Sequence, residues 1–377
     1  MADETPVTLV YKRLAATGLP IHVDIYPPIP TPISSDNPPR LPAVVYFHGG
    51  GLTVGNRQSW FPTWLYKRVT AAGYAFVSAD YQLLPPATGH DIVRDISDLL
   101  AFLVAGEYED VNGNDVTRLV DEAPSRRLYF TIDPNAIAVA GSSAGGLCAY
   151  LAAMHCTAPR PCAVLSLYGM GGNFLTPHYL HLKTTPFFRG RDLLDPADPA
   201  FAPFLHPVCT ALSPVSDVQL VYHGPEHAIP GYPAHPRMLL ARLFLQLGTY
   251  LDYHTGTPGV STALRAALQK GEEAEEEVTQ ILEKSGTLEL FPQFSVSVGR
   301  WPPTMLCHGV KDSAVPVGES RHLAGILRRA GAEVEVLEFE GEEHSFDYAP
   351  GAEKRYGKEF DAVGRFLEKC FGKGNEE

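Results

Sequence analysis

The chain has 377 residues, of which 45% are hydrophobic, and a formal net charge of −13 from 30 basic and 43 acidic side chains. This composition can bury a large core, and the lack of a basic patch argues against nucleic acid as a partner. The first six residues, MADETP, have neither a basic start nor an apolar core, and no uncharged apolar run approaches the length of a membrane span. We therefore expect a soluble, cytoplasmic protein with no membrane partner.

The first elements form strands around a glycine loop. Residues 7–11 and 21–26 predict a hairpin, and residues 41–47 predict a buried strand that leads directly into His48-Gly49-Gly50-Gly51. Three consecutive glycines disfavour helix and sheet, but they let backbone N–H groups approach a ligand that leaves no room for a Cβ atom. The loop is therefore suited to binding the oxyanion of a tetrahedral intermediate.

Apolar spacing predicts the next elements: a helix over residues 60–73, a strand over 74–79, a helix over 91–104 and a polar surface excursion over 106–127. This alternation of strands and helices indicates a parallel sheet with helices on its faces.

Gly141-Ser142-Ser143-Ala144-Gly145 is the most informative motif of the chain. It follows the apolar strand pattern of residues 136–140 and leads into the helical pattern of residues 146–154. Strand, tight turn and helix are the context in which G-x-S-x-G forms a nucleophile elbow. The turn would hold the Ser143 hydroxyl out at its tip, where it can attack a carbonyl carbon. The start of the helix would face the negative charge that develops in the reaction.

The pattern changes after the strand predicted over residues 162–168. A segment rich in Pro, Phe, Tyr and His is followed by helix patterns over residues 237–253 and 261–284. We interpret this insertion as a cap over the sheet edge, where substrate specificity would reside. Gly224-Pro225 and Pro230-Gly231 would break any helix that aligns His223, His227 and His235, so we expect no metal site.

The C-terminal part supplies an acid and a base. Asp312 lies in the loop after the strand predicted over residues 303–307, and His344 follows the strand predicted over 333–339. His344 would act as the general base, with Asp312 fixing its tautomer and stabilising the imidazolium. The rival acids adjoin the histidine in sequence and are expected to be solvated; they are Glu342, Glu343 and Asp347. Helix patterns over residues 318–330 and 356–371 complete the fold.

These motifs resemble the α/β-hydrolase fold and, within it, the hormone-sensitive-lipase-like carboxylesterases. The resemblance covers about residues 6–169 and 300–371, including Asp80-Tyr81-Gln82-Leu83 after the fourth strand. It implies a mostly parallel central sheet flanked by helices, with a helical cap inserted between strands six and seven. It also implies Ser143 as nucleophile, His344 as base and Asp312 as acid. The backbone donors implied for the oxyanion hole are those of Gly50, Gly51 and Ala144.

The chain departs from that family at three points. Ser142 stands where an acidic residue usually precedes the nucleophile, and Gln82 replaces an arginine that forms an ion pair in relatives. The helical N-terminal segment that covers the active site in many relatives is replaced by the first hairpin. These departures concern the substrate class and the cap rather than the catalytic residues.

We therefore expect a core over residues 1–169 and 300–377, with a cap over 170–299. The expected activity is hydrolysis of a small-molecule carboxylic ester through an acyl-enzyme, with no cofactor and no metal. A lactone, a thioester, an arylformamide or a cyclisation reaction on a bulky natural product is an alternative. A catalytically silent ligand-binding protein is another alternative, although the retained His344 disfavours it. The resemblance leaves a homodimer open.

Overall fold

The structure, a computed structural model, describes residues 5–30, 38–106, 128, 130–229, 231–295 and 301–373. Its strands, in chain order, are β1 (Val7–Arg13), β2 (Pro20–Tyr26), β3 (Arg40–Phe47), β4 (Ala75–Ala79), β5 (Thr131–Ser142), β6 (Ala163–Leu167), β7 (Thr304–Gly309) and β8 (Val334–Phe339). Within the described residues they form one sheet in the order β1-β2-β4-β3-β5-β6-β7-β8. β2 is antiparallel to both neighbours, and all other pairs are parallel.

The helices lie between and after these strands. In chain order they are α1 (Thr63–Ala71), α2 (Gly89–Ala105), α3 (Ala144–His155), α4 (Pro177–Leu180), α5 (Arg237–Leu247), α6 (Tyr250–Thr255), α7 (Val260–Ala267), α8 (Ala274–Lys284), α9 (Pro292–Ser295), α10 (Gly318–Arg329) and α11 (Ala352–Lys373). α4 to α9 all belong to the segment between β6 and β7. The predicted fold class, a mostly parallel sheet with a helical insertion between strands six and seven, is confirmed.

The two faces of the sheet are buried separately because successive side chains of a strand point to opposite faces. Val45 and Phe47 of β3 join a cluster with the apolar sides of α2, α3 and α10. Val44 and Tyr46 of the same strand join a second cluster with α1 and α11. The central strands read as continuous apolar runs since both faces are covered.

Local capping explains why α2 begins two residues before its predicted start. The Asp91 carboxylate accepts hydrogen bonds from the backbone N–H of Thr88 at 2.8 Å and from its hydroxyl at 2.9 Å. This arrangement satisfies donors at the N-terminus of the helix, as in a capping box. The helix ends at Ala105 and is followed by Gly106, whose left-handed φ of 73° suits glycine at a C-cap.

The two long helices predicted for the cap are each interrupted, which corrects the prediction. The pattern over residues 237–253 divides into α5 and α6 at Gly248, which has a φ of 64°. The pattern over 261–284 divides at Gly271, which has a φ of 68° within the 3₁₀ segment Leu268–Glu273 that precedes α8. Apolar spacing continues through both breaks, but left-handed glycines end the helical hydrogen bonding.

Other features remain expectations. The polar excursion predicted for residues 106–127 lies outside the described residues beyond Gly106. Among the described helices, none is both long enough and apolar enough to span a bilayer. The cytoplasmic location and the domain boundaries at residues 169 and 299 stay predictions.

Candidate active site

The nucleophile elbow connects β5 to α3. Ser143 has φ 54° and ψ −119°, an unusual backbone conformation for a residue with a side chain. The turn closes because two flanking positions lack a Cβ atom. A Cβ on Gly141 would lie 2.0 Å from the carbonyl oxygen of Gly145, and one on Gly145 would lie 2.0 Å from that of Phe47. Only glycine therefore fits at either position, and Ser143 is presented between them.

The predicted nucleophile, base and acid are brought together from three separate parts of the chain. The Nε2 atom of His344 lies 3.0 Å from the Oγ atom of Ser143. The Nδ1 atom of the same ring lies 2.6 Å from Oδ2 of Asp312. With Nδ1–H donating to Asp312, Nε2 can accept the serine proton, which is the arrangement required for general-base catalysis.

Asp312 is held as a carboxylate. Burial opposes its ionisation, but hydrogen bonds from His308 and His344 outweigh that effect and lower the pKa of Asp312 below its usual value. The N–H groups of Ala314 and Val315 also donate to Oδ1, each at 2.9 Å. The acid is therefore charged and fixed in orientation before any substrate binds.

The rival acids have other partners. Glu343 accepts a hydrogen bond from the Ser313 hydroxyl at 2.5 Å and touches His344 only through its backbone N–H. Asp347 accepts hydrogen bonds from the indole of Trp64 and the hydroxyl of Tyr168. It is 9% exposed, so the expectation that it is solvated is wrong. In the described part of the chain, Asp312 is the carboxylate that bonds the His344 ring.

The glycine loop after β3 faces the serine with free donors. Among the described residues, no acceptor receives the backbone N–H of Gly50, Gly51 or Ala144. Gly50 and Gly51 have φ of 106° and 63°, and a Cβ on Gly50 would lie 2.0 Å from the carbonyl oxygen of Val54. These glycines are thus required by the backbone, and their N–H groups are available to an oxyanion.

The buried His48 side chain packs against this loop. Its ring stacks on Tyr81 with centroids 4.4 Å apart, and its Nδ1 atom lies 2.7 Å from the carbonyl oxygen of Gly49. Burial lowers the pKa of His48 to about 4, so the ring is neutral at pH 7. The Tyr81 hydroxyl donates to the carbonyl oxygen of His48 at 2.8 Å. The tyrosine-containing segment after β4 therefore braces the glycine loop.

The two positions at which the sequence departs from the family pattern, Ser142 and Gln82, form other polar contacts in the structure. Ser142, at the usual acidic position, lies 2.6 Å from the hydroxyl of Tyr46. Gln82 bonds the buried Asp95 through its backbone N–H at 2.8 Å and its side-chain amide at 3.1 Å. Lys12 supplies a positive charge to Asp95 at 2.8 Å.

Ser143, His344 and the glycine loop open on a cavity of about 290 Å³. Its opposite wall belongs to the insertion between β6 and β7, mainly one face of α5 and the turns near residues 188–191 and 220–222. Ala241 of α5 approaches Gly51 so closely that a Cβ on the glycine would lie 2.2 Å from the alanine Cβ. This wall of the insertion therefore touches the glycine loop itself.

Sequence reasoning missed the residues that fasten the cap wall to the loop. Arg237 is 3% exposed and donates to the carbonyl oxygens of Thr53, Leu84 and Pro85. The Tyr250 hydroxyl donates to the carbonyl oxygen of Gly51 at 3.0 Å. Nothing in the sequence marks these contacts, because their partners lie more than a hundred residues away.

Of the three histidines considered as metal ligands, His223 and His227 have rings that stack with their centroids 3.8 Å apart. No group of three or more possible metal-binding side chains occurs among the described residues.

Two family models match successive parts of the chain. One, described as the alpha/beta hydrolase fold, matches residues 44–212, and the other, the prolyl oligopeptidase family, matches residues 269–374. A probable carboxylesterase M8 from a Phoma species is 41% identical over 59 residues, which are 15% of this chain and 18% of that protein. The non-reducing polyketide synthase Preu6 of Preussia isomera is 25% identical over 354 residues, which are 90% of this chain and 14% of the synthase.

The chain therefore spans less than a fifth of the length of these curated relatives. Among solved structures, esterase Est2 of Thermogutta terrifontis with butyrate bound superimposes with a TM-score of 0.54 at 17% identity. The superposition covers 97% of this chain and 94% of the esterase, and at this identity it supports the fold alone. With the motifs at the strand ends, these matches show that the chain has the α/β-hydrolase fold and is similar to esterases.

Proposed function

We propose that this protein is a serine hydrolase that cleaves a carboxylic ester through an acyl-enzyme on Ser143. The observation that carries the proposal is the continuous chain of contacts from Ser143 to His344 to Asp312, at 3.0 and 2.6 Å, beside free N–H donors. The cavity in front of it takes a small molecule, and residues 170–299 would act as its cap.

The reaction would proceed in two steps. Ser143 transfers its proton to His344 and attacks the ester carbonyl, and the N–H groups of Gly50, Gly51 and Ala144 bind the resulting oxyanion. Collapse of the tetrahedral intermediate releases the alcohol, which takes the proton from His344. Water, deprotonated by the same histidine, then hydrolyses the acyl-enzyme. No step requires a metal or a cofactor.

The test is turnover of p-nitrophenyl esters from acetate to decanoate by wild-type protein, Ser143→Ala and Ser142→Ala. We expect Ser143→Ala to lower kcat by at least ~10⁴-fold while its circular dichroism spectrum remains that of the wild type. Ser142→Ala serves as the matched control, since it removes a neighbouring hydroxyl that bonds Tyr46. Near-wild-type turnover by Ser143→Ala would show that another group performs the chemistry.

The alignment with a polyketide synthase over 90% of this chain favours a second candidate, release of a polyketide acyl chain from a thioester. The same acyl-enzyme would form, but the leaving group would be a thiol. An internal hydroxyl of the substrate would give a lactone in place of an acid. Parallel assays with an oxygen ester and an N-acetylcysteamine thioester of one acyl group, followed by product mass, separate these reactions, because only hydrolysis adds water.

A further inference from the structure

The cavity in front of Ser143 is positively charged, although the chain as a whole carries a net charge of −13. Arginines at positions 189, 191 and 242 line it, whereas no Asp or Glu is among its lining residues. His178 in the same wall is neutral at pH 7, because burial lowers its pKa to about 4. Formal positive charge in the cavity thus comes from guanidinium groups.

Arg242 stands out because its charge is buried without a counter-ion. The residue is 6% exposed, and its Nε atom has no hydrogen-bond partner among the described residues. No described carboxylate lies within 4.0 Å of its guanidinium group, and the nearby Asp192 is exposed. Burial lowers the pKa of Arg242, and the like charge of Arg191 adds to this effect, whereas the charge and hydrogen bond of Tyr232 and the opposite charge of Asp192 oppose it. A buried cation with an idle donor is costly unless something else pairs with it.

The neighbouring arginines show what a satisfied guanidinium looks like in this molecule. Arg237, five residues earlier on α5, donates to three carbonyl oxygens. Arg189 donates to the carbonyl oxygen of His344 and lies 3.7 Å from Glu343. Arg191, in contrast, is exposed at the cavity, and no carboxylate of the described chain lies within ion-pair distance of it. Arg242, with its unpaired Nε donor, and Arg191 are therefore the arginines of this cavity that have no carboxylate partner among the described residues.

Arg242 is also placed close to the reacting centre. Met238, Ala241, Arg242 and Leu245 line the cavity at helical spacing, so they share one face of α5. Ala241, the residue before the arginine, is the one that contacts Gly51 of the oxyanion loop. An acyl chain or leaving group extending from Ser143 along this otherwise apolar face would reach the guanidinium group.

We propose that Arg242, with Arg191, binds an anionic oxygen group of the substrate, a carboxylate or a phosphate, at the cap side of the catalytic cavity. The inference rests on the proposed hydrolase function and narrows its substrate class to esters or thioesters that carry a negative charge. A guanidinium group suits this role because its planar donors can bond two oxygen atoms of one anion.

The test compares p-nitrophenyl esters that differ only at the far end of the acyl chain. Hexanoate, octanoate and decanoate esters are paired with the half-esters of adipate, suberate and sebacate, so a carboxylate replaces a methyl group. The measured quantity is kcat/KM for the anionic substrate divided by kcat/KM for its neutral partner. Any loss of active enzyme affects both values equally and therefore cancels in this ratio. A second pair, acyl-phosphopantetheine and acyl-pantetheine, applies the same ratio to a phosphate on the leaving group.

For wild-type protein we expect at least one pair to favour the anionic substrate, and Arg242→Gln to lower that ratio by ~10-fold or more. Arg191→Gln, an exposed position where folding is not at risk, should lower it in the same direction. Arg160→Gln removes an exposed charge outside the cavity and should leave the ratio unchanged. A preference for the anionic member of the p-nitrophenyl ester pairs would show that the site binds a carboxylate. A preference for acyl-phosphopantetheine over acyl-pantetheine would show that it binds a phosphate. The inference is wrong if neither Arg242→Gln nor Arg191→Gln lowers the ratio in any pair.

A binding measurement separates this inference from the hydrolase proposal. Ser143→Ala protein is titrated by calorimetry with monomethyl suberate, its neutral dimethyl ester, acyl-phosphopantetheine and acyl-pantetheine. Tighter binding of the anionic member by ~10-fold, lost when Arg242→Gln is added, supports the anion site even if no ester is turned over. Equal binding within both pairs, in a protein that hydrolyses neutral esters, overturns the anion site alone.

Discussion

Asp312 is the residue whose replacement best distinguishes a working triad from a set of neighbouring side chains. In Asp312→Asn the amide would favour the wrong tautomer of His344, so we expect kcat/KM for an ester to fall by ~10³- to ~10⁴-fold. Glu343→Gln is the matched control, because Glu343 bonds His344 through the backbone N–H of the histidine and not through its ring. Its expected loss is below ~10-fold. Ester hydrolysis that tolerates Asp312→Asn but not Glu343→Gln would assign the acid to Glu343.

Glu319 provides a test of stability against pH. It is 2% exposed, and its carboxylate accepts hydrogen bonds from the Tyr179 hydroxyl and the Gly171 N–H, each at 2.6 Å. Burial raises the pKa of Glu319 from 4.5 to about 8, although these hydrogen bonds oppose the shift. Between these values the native state keeps a proton that the unfolded chain has lost. The free energy of unfolding contributed by this group therefore falls as pH rises from about 4.5 to about 8.

Glu319→Gln removes this titration, so the variant should show a flatter dependence of stability on pH than the wild type. Urea unfolding at about pH 5 and about pH 8 gives the change in the free energy of unfolding with pH for each protein. Titrations common to both proteins cancel when the two changes are subtracted. A wild-type protein that gains stability relative to the variant as pH rises would contradict the account.

At the residue scale, the sequence predicted which side chains meet in the candidate site because each follows a strand. Ser143, Asp312 and His344 come after β5, β7 and β8, and the glycine loop comes after β3. The buried partners were not predictable in this way. Glu319 and Arg242 occupy ordinary helical positions, and their burial is decided by contacts with distant parts of the chain.

At the element scale, the contact between α5 and the glycine loop is open to a direct test. Gly51→Ala would add a Cβ atom 2.2 Å from that of Ala241, at a φ of 63°. We expect it to displace the N–H donor and lower kcat/KM by at least ~10-fold, because removal of an oxyanion donor typically costs ~10²- to 10³-fold. Adding Ala241→Gly removes the clash and should restore part of the activity, measured against Ala241→Gly alone.

Gly50→Ala is the matched control for this cycle. Its added Cβ would lie 2.0 Å from the carbonyl oxygen of Val54, within the loop itself. Ala241→Gly should therefore give no recovery there. If it restored both glycine variants equally, or neither, the cap helix would not set the position of the loop.

The elements of the cap show where sequence patterns reach their limit. Apolar spacing predicts helices over residues 237–253 and 261–284, and helices occur in both ranges. The breaks depend on glycines with positive φ. Gly248 also packs closely against the backbone of Leu180, because a Cβ at position 248 would lie 2.6 Å from the Leu180 carbonyl oxygen. Such a contact depends on tertiary packing, which periodicity within one segment cannot reveal.

At the scale of the whole molecule, the fold explains why motifs spread over some three hundred residues form one site. The strands from β4 to β8 run parallel, so the loops after β3, β5, β7 and β8 emerge at the same edge of the sheet. The change of pattern after residue 168 predicted the helical insertion between β6 and β7. Its arginine-lined wall could not be predicted, since the charge of the cavity is opposite to that of the chain.

The central claim is that Ser143 is an activated nucleophile, and intact-protein mass spectrometry after treatment with a fluorophosphonate tests it most directly. The account predicts a single adduct that maps to Ser143, is absent from Ser143→Ala and persists in Ser142→Ala. Loss of the adduct should coincide with loss of ester turnover. A wild-type protein that takes up no fluorophosphonate, or that takes it up at another residue, would contradict the account.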